Sequence, residues 1–169
     1  MRTDKLAACH TKSTDATDKR CTPKPFFLYV QKLLGVKFTI DIAASKSNTL
    51  CENYYSQKDN TLKKWWRGTA WCNPPYSLTE EFVIRAYTNA RKGYGSTALL
   101  LAARTDQLWW DYALKTNVLA FIRGRIKFVG ADAGAPFPSV VLYFGKKIPS
   151  PKLPVIWTPS PYERGFSRK

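Results

Sequence analysis

Apolar positions along the chain follow two periods, and the switches between them mark the elements. Phe26, Phe27, Val30, Leu33 and Leu34 recur at helical spacing, after Thr22-Pro23 and before Gly35. Thr22 suits a helix cap, Pro23 the first helical position and Gly35 the stop. The run KFTIDI (37–42) reads as a buried strand ending in Asp41, followed by the small residues Ala43, Ala44 and Ser45. CENYY (51–55) is a second short strand, KKWWRG (63–68) a connector, and TAWC (69–72) a third strand that runs into Asn73-Pro74-Pro75-Tyr76. Ser77-x-x-Glu80 forms a capping-box signature for a helix to about Arg91, with Leu78, Phe82, Val83, Ala86 and Ala90 on its apolar face. STALLLAA (96–103) is the clearest buried strand, followed by Arg104-Thr105-Asp106 and a helix carrying Leu108, Trp109, Tyr112 and Ala113. VLAFI (118–122), RIKFV (125–129) and SVVLYF (139–144) complete up to seven strands.

Helices separate several of these strands, which predicts an α/β fold with a mostly parallel sheet of about seven strands. The last three strands lack intervening helices and read as a C-terminal antiparallel hairpin or edge. Residues 1–20 show no apolar period and read as a flexible polar arm. Residues 21–147 hold the periodic elements and form the expected domain. Residues 148–169 hold five of the eleven prolines and read as an extended basic tail on the surface.

Charge changes the picture. Lys plus Arg number 27 against 12 acids, a net charge of +15, and after Asp111 only Asp132 and Glu163 oppose ten cations. Such an excess attracts polyanions, with nucleic acid the leading partner and an acidic membrane surface or protein the alternative. No run of about 18 apolar residues is present, so no membrane span is expected. The first residues lack the apolar stretch of a secretory leader, so a cytoplasmic protein is expected. Cys9, Cys21, Cys51 and Cys72 include no CxxC pair and His10 is the only histidine, so reduced thiols and no metal site are expected.

The sharpest chemistry lies in Asn73-Pro74-Pro75-Tyr76. Ligands of open α/β sheets bind outside the carboxyl ends of strands. Two successive prolines stiffen that corner and remove two amide donors, leaving carbonyls and the Asn73 amide to accept hydrogen bonds. Tyr76 adds a flat face beside them. The set suits gripping a planar amino group and stacking on the ring or amide that carries it.

This motif has companions in order: Thr22-Pro23, FTIDIAAS, Trp66 and WCNPPYS (71–77), LLAARTDQLWW, FIRGRIKF and APFPS. From about Thr22 to Phe144 the chain resembles the phage-type, Dam-like DNA N6-adenine methyltransferases. More broadly it resembles the S-adenosylmethionine-dependent amino-methyltransferases with a [DNS]-P-P-[YFW] motif. The resemblance implies the class I methyltransferase fold, Rossmann-like, with S-adenosylmethionine as cofactor and DNA as partner. It implies transfer of a methyl group to the N6 amine of adenine, in a flipped or single-stranded base, in a host bacterium's cytoplasm if phage-encoded. Asn73, Pro74, Pro75 and Tyr76 then match the catalytic loop. Asp41 matches the acid near the cofactor's ammonium, and Ala43 and Ala44 stand where other members use glycine. Thr22, Pro23 and Phe26 resemble the block that closes over the methionine moiety, Asp59 the acid on the adenine amine of the cofactor, and Glu52 a ribose ligand. The glycine pair of the first motif is missing, and no insertion is long enough for a separate target-recognition domain.

For DNA, Arg123, Arg125 and Lys127 alternate along a strand, which turns three cations to one face as a phosphate track. Phe128 is a second stacking candidate or a core residue. Arg104 follows a strand end and lines the expected cleft, with Asp106 beside it as a ligand contact or a helix cap. Alternatives stay open at this point: cytosine N4, protein glutamine or RNA as the acceptor, or a catalytically silent nucleic-acid binder.

Overall fold

The computed structural model describes residues 20–145, and the backbone of 155–159. The expected arm before Arg20 and most of the expected tail lie outside the described residues. Helix α1, Lys24–Leu34, buries Phe26, Phe27 and Val30 and ends at Gly35, whose φ of 64° is the left-handed conformation glycine adopts without strain. Thr22 does not cap it: Pro23 holds the cap position, no side chain bonds the helix end, and Thr22 is buried. The prolines at positions 23 and 25 remove donors from the helix end, so little is left for a cap to satisfy.

The strands are β1, Ile40–Asp41; β2, Asn53–Tyr54; β3, Gly68–Cys72; β4, Gly95–Ala102; β5, Val118–Arg123; β6, Ser139–Phe144; and β7, Val155–Pro159. Their spatial order is β2-β1-β3-β4-β6-β5-β7. The pairs β1·β2, β1·β3 and β3·β4 are parallel. The expected α/β class is seen, but the sheet is mixed. Strand β6 runs antiparallel to both β4 and β5 and sits between them, rather than forming a terminal edge. The chain can return this way because no helix crossover joins β5 to β6. Val155–Pro159, read from the sequence as part of a tail, pairs in parallel with β5.

RIKFV is not a strand. Gly124, at φ 80°, ends β5 and turns the chain. Residues 125–128 carry on without ladder pairing, and only Val129 makes an isolated bridge to Cys21. Burial still alternates there, with Ile126 and Phe128 inside and Arg125 and Lys127 exposed.

Helix α2, Thr79–Arg91, starts after a 3-10 turn at Tyr76–Leu78, with Leu78 at its cap position and no side-chain cap. The helix proper therefore opens two residues beyond the cap expected at Ser77. Helix α3 is a single turn, Trp110–Ala113. Alternation along β4 divides the core. Ala98 and Leu100 join Phe26, Phe27, Trp71 and Phe128 on the α1 side, while Leu99 and Leu101 join Trp66, Phe82, Val83 and Ala113 on the α2 and α3 side. The connector carries Trp66, 0% exposed, whose main-chain N–H and C=O bond the buried Asn89 amide at 2.9 and 2.8 Å. Cys51 and Cys72 are free thiols, whereas Cys21 is disulfide-bonded, correcting the expectation of reduced cysteines at that position.

Candidate active site

Parallel pairing brings the chemistry to one edge. Asp41, the last residue of β1, lies in register with Trp71 of β3, two residues before Asn73. A small cleft of about 10 Å³ opens there, and Thr22, Asp41, Ala43 and Asn73 line it. Arg20, Asn48 and Leu50, which the sequence reading missed, line it too. No periodicity marks them, because they enter from the segments that flank α1 and follow β1.

Asp41 is only 5% exposed. Its carboxylate accepts the Ala43 N–H at 3.3 Å and the Leu50 N–H at 3.4 Å. Both bonds are long, and burial outweighs them, raising the carboxyl to about 7. The same charge adds to burial in pushing the Cys51 thiol up to about 12 and the Cys72 thiol well above its ordinary value. Neither thiol is a nucleophile at neutral pH. Thr22 contributes a buried hydroxyl with no hydrogen-bond partner.

The Asn73-Pro74-Pro75-Tyr76 corner forms the rim. Asn73 and both prolines are buried and Tyr76 is half-buried. The Pro75 carbonyl accepts the Leu78 N–H at 3.0 Å, which folds the corner into the turn before α2. The Asn73 amide NH₂ donates to the Arg20 carbonyl at 2.5 Å, leaving its carbonyl oxygen as the group that accepts. The Tyr76 ring meets Phe137 edge-on, 5.0 Å between centroids at 79°. Phe137 lies in the APFPS block, and nothing in its spacing assigned it to the site.

Other expected residues fall elsewhere. Phe26 is 0% exposed in the core and Pro23 caps α1, so neither lines the cleft. Ala44 is buried and its N–H bonds the Tyr55 carbonyl at 3.1 Å. The Asp59 carboxylate is engaged by Ser56, at 2.8 Å from its N–H and 2.7 Å from its hydroxyl, and by Lys64 at 3.5 Å. Glu52 is exposed, sits at the amino end of β2 and does not line the cleft. Among the DNA candidates, Arg104 and Arg123 are exposed at the carboxyl ends of β4 and β5, the edge that carries Asn73. Arg104 pairs with Asp106 at 3.2 Å, and Asp106 does not cap α3. Arg125 and Lys127 are exposed, though on irregular backbone rather than a strand. Phe128 is 3% exposed, which makes it a core residue rather than an open stacking face. Among the described residues no group of His, Cys, Asp or Glu gathers to hold a metal, and no helix is long and apolar enough to cross a membrane.

A stiff corner with an aromatic ring thus stands beside a cleft that holds a buried carboxylate. The comparisons name the family. A model of the DNA N-6-adenine-methyltransferase (Dam) family matches residues 9–144, and the chain belongs to that family. It is 28% identical over 152 residues to the DNA N-6-adenine-methyltransferase of Haemophilus phage HP1 (strain HP1c1), covering 85% of this chain and 87% of that protein. It is 36% identical over 106 residues to the DNA N-6-adenine-methyltransferase of Escherichia phage T1, covering 61% of this chain and 44% of that protein. Membership implies a methyl donor and a DNA substrate.

Proposed function

We propose that this chain transfers a methyl group from S-adenosylmethionine to the N6 amine of adenine in DNA, on a class I methyltransferase scaffold. The observation that carries the reading is the Asn73 corner beside the buried carboxylate of Asp41, which forms no ion pair among the described residues. Two groups of the cleft fit such a donor. Asp41 gains a counter-charge from an ammonium, and the unpartnered Thr22 hydroxyl gains a polar partner. Ala43 adds little bulk at the floor. Asp59 and Phe26 are not part of this fit. The bound donor supplies an electrophilic methyl sulfonium.

The chain's part is orientation. An exocyclic amine is a weak nucleophile because its lone pair is delocalised into the ring. The Asn73 amide oxygen and the Pro74 carbonyl accept from its two N–H bonds and favour a tetrahedral nitrogen, whose lone pair then faces the methyl. Alignment of this kind supplies about 7–11 kcal/mol in well-oriented systems. The proton leaves after transfer, when the nitrogen is cationic, so no carboxylate base is needed. Because a duplex buries the amine, the base is extruded or single-stranded, and Tyr76 offsets part of the unstacking at about 1–3 kcal/mol. The exposed cations at positions 104, 123, 125 and 127 hold the phosphates. The family description favours adenine over cytosine N4 and over glutamine. The test is Asn73→Ala: turnover measured by labelled methyl incorporation falls at least about 100-fold, while donor affinity by calorimetry stays within about threefold. Retained turnover refutes the role.

A further inference from the structure

Arg20 lies outside every motif of the family resemblance, yet three features of it converge on the rim of the cleft. Its main-chain carbonyl takes the Asn73 amide NH₂ at 2.5 Å. Its guanidinium carbon stands 5.2 Å from the centroid of the Phe137 ring and 5.7 Å from that of Phe128. Its Nε–H is buried and has no hydrogen-bond partner. The cation is held against ring faces rather than by an acid: among the described residues the ion pairs are Lys64–Asp59 and Arg104–Asp106. Phe137 in turn meets the Tyr76 ring edge-on, so Arg20 touches Asn73 through its carbonyl and the ring packed on Tyr76 through its guanidinium.

We infer that Arg20 is a recognition residue for the target base, donating a hydrogen bond to the ring nitrogen beside the amine that Asn73 holds. This rests on the methyl-transfer reading above. An arginine offers donors only, in a fixed planar fork, so its partner must be an acceptor. In adenine the 6-amino group is flanked by N1 and N7, both acceptors. A base whose amine sits on Asn73 and Pro74 therefore turns an acceptor toward a neighbouring donor, and the buried Nε–H is such a donor without an occupant. The guanidinium lies against the two rings and its Nε–H is buried, which makes the unmet donor costly until the base arrives. The two jobs of Arg20 are separable: the carbonyl, common to every residue type, sets the Asn73 amide, and the side chain reads the base.

The experiment uses the full chain, with Arg20→Lys and Arg20→Met, which keep the carbonyl, and an oligonucleotide carrying a target adenine, its 1-deaza analogue or its 7-deaza analogue. Wild type is expected to lose tenfold or more in kcat/KM on one of the two analogues. Arg20→Met is expected to show a similar loss on the natural base and none further on that analogue, with Arg20→Lys falling between. Equal wild-type rates on all three substrates overturn the inference, as does a loss in Arg20→Met of the same factor on all three, which is the signature of a structural role. A wild type that binds donor and oligonucleotide but methylates no natural base fails at the earlier step, and removes the methyl-transfer reading together with this one.

Discussion

Replacing Asp41 with Asn separates what the buried carboxylate does for stability from what it does for the donor. Burial raises the Asp41 carboxyl from 3.8 to about 7, against two long hydrogen bonds from Ala43 and Leu50. A shift of about 3 units at about 1.4 kcal/mol each sets an upper bound near 4 kcal/mol. A carboxyl whose folded value is raised binds protons more tightly in the folded chain. Its folded state is therefore most favoured where it is protonated. Stability falls as the pH rises from about 4, the unfolded value, to about 7, and is flat above that. Asn cannot ionise, so this loss disappears. It keeps one acceptor but turns a donor toward the Leu50 or Ala43 N–H, at a cost of about 1 kcal/mol. The ligand-free variant is thus expected to be more stable than wild type by about 3 kcal/mol at pH 8, equivalent to about 6–12 °C in melting temperature. At pH 4.5 the gain vanishes. Donor binding moves the other way: without the charge, affinity for S-adenosylmethionine at pH 8 falls tenfold or more, and the rise in wild-type affinity as the pH climbs to about 7 is abolished. Thermal unfolding and calorimetry across pH 4.5–8.5 read both halves. A ligand-free variant less stable than wild type at pH 8, or a shift independent of pH, refutes the account of Asp41.

Two further outcomes follow from the same geometry. Changing Arg123, Arg125 and Lys127 together to Ala is expected to weaken DNA binding and to flatten the slope of log affinity against log salt by up to about 2.7, measured by fluorescence anisotropy; an unchanged slope moves the phosphate contacts elsewhere. Asn89→Ala strips the amide that bonds Trp66 N–H at 2.9 Å, Trp66 C=O at 2.8 Å and Gly95 C=O at 3.4 Å. It is expected to cost about 3 kcal/mol in urea unfolding, and a cost under about 1 kcal/mol denies Asn89 that role.

The amino-acid order by itself determined the α/β class, the span of α1 and its glycine stop, the full burial of β4, and the stiff Asn-Pro-Pro-Tyr corner at Asn73, because each depends on neighbours within a few positions. Local chemistry also marked Asp41, since an acid closing an apolar strand beside small residues stands out along the chain. Tertiary structure decided the rest. That β6 lies between β4 and β5, that Thr22 faces a cleft instead of capping a helix, and that RIKFV leaves the sheet at Gly124 are outcomes of competition between distant segments for the same partners. Arg20 and Asn73 are joined across 53 positions, and Tyr76 and Phe137 across 61. No period or motif encodes such a meeting. It exists only once parallel strands have brought the ends of β1 and β3 to one edge and the loops above them have packed.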